Sequence, residues 1–67
     1  MKIGVKGATG ESSKVFIELQ LEDAGFVGCE YDVSLKKLKI PDIYREELDE
    51  IAMSIAETGD YLLELDD

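Results

Sequence analysis

The residues able to perform covalent or acid–base chemistry are few in this chain and form no recognisable set. The 67 residues include one cysteine, four serines and two threonines, but no histidine. Without histidine, there is no obvious neutral general base to activate a hydroxyl or thiol nucleophile. The single cysteine, Cys29, alternates with apolar positions, which indicates a small buried side chain rather than a nucleophile. We expect a protein that is not an enzyme.

Metal and cofactor sites are predicted to be absent. A zinc site needs several Cys or His ligands, and no twelve-residue calcium loop is present. Residues 1–10 resemble the first strand and glycine turn of a short-chain dehydrogenase-type nucleotide-binding domain. However, Ser13 stands where that pattern has its third glycine, and residues 15–21 alternate as a strand where a helix should follow. We therefore expect neither a nucleotide nor any other cofactor.

Charge is the most informative feature of the sequence. Sixteen acids and seven bases give a net charge of −9 and a pI of about 4.2. Residues 1–39 hold six acids and six lysines, whereas residues 40–67 hold ten acids and one base, Arg45. Direct binding to nucleic acid or to an anionic membrane is disfavoured, because each phosphate would meet net repulsion.

Alternating apolar residues predict most of the secondary structure. Strands are expected over 1–6, 15–21, 27–33, 37–40 and 61–65. Gly25 is expected to take the left-handed position of a hairpin loop that pairs Leu21 with Val27. Glu18 and Glu30 would then face each other on the outer side of the sheet, offset by two lysines of the neighbouring strand.

The only helix is predicted over residues 42–58. Five apolar residues recur there at helical spacing, Pro41 suits its first turn, and Gly59 suits its end. We predict one α+β domain over residues 1–67. It would consist of a small, mostly antiparallel sheet of four to five strands with one amphipathic helix packed on it, in the order β-β-β-β-α-β.

The cellular compartment is expected to be the cytoplasm. No run of about 18 apolar residues is present, and the first 20 residues contain no secretory signal. A lone cysteine also differs from the disulfide-rich pattern of small secreted domains. The oligomeric state is left open.

The predicted helix carries acids on the side opposite its apolar residues: Asp42, Glu46, Asp49, Glu50 and Glu57. Steps of four residues advance about 6 Å along an α-helix, and DNA carries a phosphate about every 3.4 Å per strand. Such a ridge could imitate phosphates in a basic groove, extended by Glu64, Asp66 and Asp67. Phe16 and Met53 are predicted to be exposed apolar anchors for the contact. A solvated face that only keeps the protein soluble is the alternative.

The second half of the chain also has a recognisable pattern. A short strand closes on Ile40-Pro41, an acidic helix contains Glu46-Glu47-Leu48, and a glycine and an aromatic-led strand follow in Gly59-Asp60-Tyr61-Leu62. In this pattern, residues 38–67 resemble small acidic anti-CRISPR proteins of phages, in particular a type I-F inhibitor. The resemblance implies a non-enzymatic inhibitor whose carboxylates occupy a basic DNA-reading cleft of the CRISPR surveillance complex. It supplies no invariant residue, so the five acids named above rest on charge position alone.

Two functional hypotheses follow from these features. The first is an inhibitor that mimics nucleic acid and binds a basic nucleic-acid-binding protein, such as a subunit of a CRISPR surveillance complex. The second is a small interaction or regulatory subunit that self-associates or adds an edge strand to a partner, through residues 61–65 or through the first strand.

Overall fold

The structure, a computed structural model, describes residues 1–64. Its elements are β1 (Lys2–Lys6), α1 (Glu11–Asp23), β2 (Glu30–Asp32), β3 (Lys37–Lys39), a 3₁₀ helix (Asp42–Glu47), α2 (Leu48–Ala56) and β4 (Leu62–Leu63). The prediction of an α+β fold with a small antiparallel sheet is confirmed. The predicted order is wrong, because residues 1–64 have the order β-α-β-β-α-β and contain two α-helices rather than one. Leu65, expected in the last strand, lies outside the described residues.

The four strands form one antiparallel sheet in the order β2-β3-β1-β4. β1 is an interior strand: Ile3 pairs with Leu38 of β3, and Val5 pairs with Leu63 of β4. This connectivity is that of the ferredoxin-like split βαβ arrangement. Because that architecture supports many unrelated functions, it does not by itself indicate one.

A single core lies between the sheet and the helices. Ile17 and Leu21 of α1, together with Ile51 and Ile55 of α2, are completely buried in it. Leu38 contributes from the sheet side and is equally inaccessible. Both helices therefore cover the same face of the sheet, and the other face carries mostly polar side chains together with the exposed Leu62.

The segment 15–21, predicted as a strand, belongs instead to α1. The buried residues of this helix are Ser13, Ile17 and Leu21, which are spaced four apart. Val15 and Leu19 are apolar but exposed, at 62% and 55%. These two exposed residues, interspersed with the buried ones, produce the strand-like alternation in the sequence.

The predicted hairpin turn at residues 23–25 is the C-terminal end of α1. The Phe26 amide donates to the Leu21 carbonyl at 2.8 Å, and the Gly25 amide donates to the Glu22 carbonyl at 3.0 Å. Gly25 has a φ of +95°. These are the two hydrogen bonds of a Schellman motif, in which a residue of positive φ ends the helix. The left-handed conformation of Gly25 is confirmed, but its pairing of Leu21 with Val27 is wrong.

The helix predicted over 42–58 is present in two parts. After Pro41 the chain forms the 3₁₀ helix, and α2 follows directly from Leu48. Gly59, with a φ of +82°, donates its amide to the Ala56 carbonyl at 3.0 Å, which places the end of the helix where the sequence predicts it. Asp42 and Glu46 therefore lie in a different kind of helix from Asp49 and Glu50.

Candidate interaction surface

All five acids predicted to form a binding ridge are exposed: Asp42, Glu46, Asp49, Glu50 and Glu57. Asp42 has a partner, since its Oδ1 lies 3.5 Å from the terminal ammonium of Met1. The other four have no ion-pair partner within 4.0 Å among residues 1–64. Four of the five carboxylates are thus available to a partner from solution.

The even spacing predicted for this ridge is wrong at its N-terminal end. A 3₁₀ helix rises about 2.0 Å per residue with about three residues per turn. The step from Asp42 to Glu46 therefore spans about 8 Å and ends on a different side of the helix. The physical reason is local, because the 3₁₀ helix extends to Glu47 and only then does the chain adopt α-helical geometry.

On α2, three of the predicted residues share one exposed face. Glu50, Met53 and Glu57 are spaced at i, i+3 and i+7, so they form a single stripe along the helix. Asp49 is four residues before Met53 and borders the same stripe. The Met53 side chain is 64% exposed. The structure thus places an apolar side chain among carboxylates, as an anchor inside an acidic surface would require.

A shallow groove of about 440 Å³ follows the 3₁₀ helix, lined by Asp42, Ile43, Arg45, Glu46 and Glu47. Ile43 is the most exposed large apolar residue of the described chain, at 78%. The sequence analysis did not include Ile43 among the contact residues. The signal was present, because Ile43 falls outside the apolar spacing of Leu48, Ile51 and Ile55, which indicates an exposed side chain. Arg45 contributes a positive charge to this groove, so the acidic character is strongest on α2.

Charge is divided between the two layers of the fold. Segments 11–23 and 42–60, which form the helical layer, contain eleven acids and two bases. The remaining described residues contain three acids and five lysines. On the outer face of the sheet, Glu30 pairs with Lys39 and Asp32 pairs with Lys37 across β2 and β3. The negative charge therefore belongs to the helices, α1 included. Asp66 and Asp67, expected to extend the acidic patch, lie outside the described residues.

The sequence predicted that Glu18 faces Glu30 across a hairpin, and this prediction is wrong. It lies on α1, where its Oε2 accepts hydrogen bonds from Lys14 Nζ at 2.7 Å and from the Tyr31 amide at 2.8 Å. The hydrogen bond with Glu18 raises the pKa of Lys14. Because Tyr31 is in β2 at the edge of the sheet, Glu18 occupies a main-chain donor that a partner strand would need.

Phe16, predicted to be an anchor beside the acids, lies on α1 rather than on the acidic helix. Its ring is 44% exposed and contacts Tyr61 edge to face, with ring centroids 5.8 Å apart. The two helices are linked nearby, because Gln20 Nε2 donates to the Ser54 carbonyl at 3.2 Å. The sequence supplied the exposure of Phe16 but not its neighbours on α1.

The sequence offers two arguments against a nucleotide site at the glycine turn before α1: a strand over residues 15–21, and Ser13 in place of a third glycine. A helix does follow the turn, so the expected strand over 15–21 is no argument. Ser13, however, is buried, and its Oγ accepts hydrogen bonds from the Thr9 amide at 3.0 Å and from the Tyr61 hydroxyl at 3.2 Å. The sheet is also antiparallel, unlike the parallel sheet of dinucleotide-binding domains.

Among the described residues, neither the cysteine nor the acidic side chains form a candidate catalytic or metal centre. Cys29 is buried, and this burial raises the pKa of its thiol. Residues 1–64 contain no group of three His, Cys, Asp or Glu side chains arranged to hold a metal ion. None of the helices in that range has the length and apolar character needed to cross a membrane.

Comparison with known proteins returns no match for this chain, whether to a family model, to a curated protein or to a solved structure.

Proposed function

We propose that this chain is a non-enzymatic binding protein that presents the acidic face of α2 and the adjoining 3₁₀ helix to a basic cleft of a nucleic-acid-binding protein. One observation carries the proposal. The carboxylates of Glu46, Asp49, Glu50 and Glu57 are exposed and have no ion-pair partner among residues 1–64. Solubility requires net charge but does not require it on one layer of the molecule.

The roles within this surface differ. Carboxylates that face a basic cleft accelerate association and select basic partners, whereas affinity comes from a few side chains buried at the centre of the contact. Met53, flanked along α2 by Glu50 and Glu57, is suited to the second role. The proposed setting is a phage inhibitor of the anti-CRISPR kind, which imitates nucleic acid on a surveillance complex.

The direct test uses a purified type I-F surveillance complex and its duplex DNA target in a mobility-shift assay. The wild-type protein should prevent target binding, and the double variant E46K/E50K should not. The control E11K/E22K makes the same change in net charge at two exposed residues of α1, a helix that carries none of the ridge residues, and should still inhibit. Full inhibition by E46K/E50K, with its fold verified by circular dichroism, would contradict the proposal.

A wider version of the test does not assume a CRISPR partner. Immobilised protein is exposed to a bacterial lysate, and captured proteins are released with duplex DNA or with salt. We expect release of basic DNA-binding proteins by both, and no capture by E46K/E50K. If the wild type neither inhibits the surveillance complex nor captures any protein that DNA releases, the proposal is wrong.

The alternative is a contact through a strand edge, and the sheet order restricts it. β1 is hydrogen-bonded on both sides, so the first strand is not available to a partner. The amide of Tyr31 in β2 is already bound by Glu18, which leaves β4 with its exposed Leu62. Strand pairing is nearly independent of salt, whereas charge mimicry weakens as ionic strength rises. Affinity that is unchanged by salt, or a dimer in light scattering, would favour this alternative.

A further inference from the structure

The outward side of α1 carries an apolar stripe, defined as Val15, Phe16 and Leu19. Their exposed fractions are 62%, 44% and 55%. They line an open groove of about 650 Å³ together with Ser12, Gln20 and Asp23 of the same helix. The spacing of four and three residues places all three apolar side chains on one face. Scattered exposed apolar residues are ordinary on a protein surface, whereas contiguous exposed apolar groups are a common feature of interaction sites.

Two residues of the α1 stripe, Val15 and Leu19, lie outside the buried core. The helix already packs on the core through Ser13, Ile17 and Leu21, which are all buried. Polar side chains at positions 15 and 19 would serve a solvated helix face equally well.

One of the three stripe residues is held in place. The Phe16 ring packs edge to face against Tyr61 at 5.8 Å, and the Tyr61 hydroxyl donates to the buried Ser13 Oγ at 3.2 Å. A partly immobilised aromatic ring loses little conformational entropy on binding, which is typical of an anchor residue. The Phe16 ring is therefore preorganised for a contact with a partner.

Charge around the stripe indicates which occupant fits. The stripe belongs to the helical layer, which contains eleven acids and two bases. Asp23 also lines the groove itself. A second copy of the chain would bring the same negative layer against this one, and an anionic membrane would be repelled in the same way. An occupant with apolar residues on one side and lysines or arginines along its borders satisfies both the groove and the charge.

We propose that the α1 stripe docks an amphipathic helix of a partner protein whose apolar side is bordered by lysine and arginine. The distance from Ser12 to Asp23 along α1 is about 16 Å, which accommodates about three turns of such a helix. This is the helix-in-groove mode of recognition. The inference rests on the proposed function for its basic partner, but it assigns the apolar part of the contact to a different helix from the acidic ridge.

The test measures fluorescence anisotropy of a labelled synthetic peptide of about 18 residues, about five helical turns long. The peptide has leucines at i, i+3, i+4 and i+7 and lysines elsewhere, and a second peptide has the same composition in scrambled order. The variant V15Q/L19Q should bind the amphipathic peptide at least about tenfold more weakly than the wild type. The control V27Q/L35Q removes two exposed apolar side chains that belong neither to the stripe nor to the acidic surface, and it should bind like the wild type.

The outcomes separate this inference from the proposed function. Unchanged binding by V15Q/L19Q, or equal affinity for the two peptides, overturns docking at the stripe. Loss of inhibition by E46K/E50K is expected whether or not the stripe binds a helix, so the nucleic-acid mimic can stand alone. A wild-type dimer in light scattering that V15Q/L19Q abolishes would assign the stripe to self-association and also overturn the inference. Circular dichroism verifies that each variant is folded.

Discussion

At the residue scale, Tyr31 combines a well-satisfied backbone with an unsatisfied side chain. Its amide donates to Glu18, yet its hydroxyl is buried and has no hydrogen-bond partner in the part of the chain that the structure describes. A buried hydroxyl without a partner loses its hydration without compensation, at a cost of about 1–3 kcal/mol. Tyr31 as a whole is only 2% exposed, so its aromatic ring belongs to the core.

We therefore expect Tyr31→Phe to increase the free energy of unfolding by about 1 kcal/mol, because it removes the unsatisfied hydroxyl and keeps the ring. Urea denaturation followed by circular dichroism measures the change. Tyr61→Phe is the matched control: it removes a hydroxyl that donates to Ser13 and should decrease stability by about 1 kcal/mol. A loss of stability in Tyr31→Phe equal to that of the control would show that the Tyr31 hydroxyl has a partner in solution.

Cys29 links a single residue to the pH dependence of stability. Burial raises the pKa of its thiol, and the negative charge of Glu18 adds to the effect. A group whose pKa is higher in the folded protein stabilises the fold below its unfolded pKa, about 8.5 for cysteine. That stabilisation is lost as the pH rises through the folded pKa.

The free energy of unfolding should therefore fall as the pH rises above about 8.5, and Cys29→Ala should reduce the slope of that fall. Urea denaturation at a series of pH values gives the slope for each protein. The raised pKa of Lys14 acts in the same direction at higher pH, so some decline remains in the variant. An identical slope in wild type and Cys29→Ala would contradict a buried, protonated thiol.

At the scale of elements, the end of α1 depends on one backbone conformation. Gly25 has a φ of +95° and closes the Schellman motif that turns the chain toward the buried Phe26. Residues with a Cβ disfavour this region, whereas glycine enters it freely. The direction of the chain between α1 and β2 therefore depends on this position.

Gly25→Ala should lower the free energy of unfolding by about 1 kcal/mol, because alanine is strained at positive φ. Gly10→Ala is the matched control. Gly10 has a φ of 169°, which is extended backbone open to any residue, and no atom lies within 4 Å of the position of an added Cβ. Thermal unfolding should show a clear decrease for the first variant and little change for the second. Equal melting temperatures would mean that the end of α1 does not require a left-handed residue.

At the scale of the whole molecule, charge separation and fold are connected. The helical layer holds eleven acids and two bases on one side of the sheet, whereas the rest of the described chain holds three acids and five lysines. Like charges in one layer repel one another more in the folded protein than in the extended chain. Screening shortens the range of this repulsion, from a Debye length of about 30 Å at 0.01 M salt to about 3 Å at 1 M.

Added sodium chloride should therefore raise the urea midpoint of the wild-type protein, and the rise should be smaller for E46K/E50K, which removes part of the repulsion. Denaturation curves at several salt concentrations test both statements. An identical rise in the two proteins would attribute the effect to general salting out rather than to the acidic layer.

Local sequence patterns predict much of the molecule. The alternation in residues 1–6 correctly predicts β1, the pattern before Pro41 predicts β3, and Gly59 correctly predicts the end of the second helix. α1 was not predictable from alternation, because Val15 and Leu19 are apolar without being buried. The length of the apolar segment and the glycine at its end were the signals for a helix.

Some features of the candidate surface also follow from local sequence patterns, whereas others depend on contacts between distant residues. The exposure of Asp49, Glu50, Met53 and Glu57 follows from the spacing of the buried residues in α2, and a sequence records that spacing. The sequence does not record that Asp42 contacts the Met1 ammonium, since those residues are 41 positions apart. It also does not show the apolar groove of α1, because the groove is recognisable only once Val15 and Leu19 are seen to lack a packing partner.

The sequence by itself determined the net charge, its concentration in the second half of the chain and the α+β class, because composition and local periodicity are properties of neighbouring residues. Only the tertiary structure decided that α1 joins the acidic layer and that β1 lies inside the sheet. Both depend on which distant segments pair and on which apolar residues find a partner. The buried Ile17 and the exposed Leu19 are similar in hydrophobicity and differ only in where the rest of the chain packs.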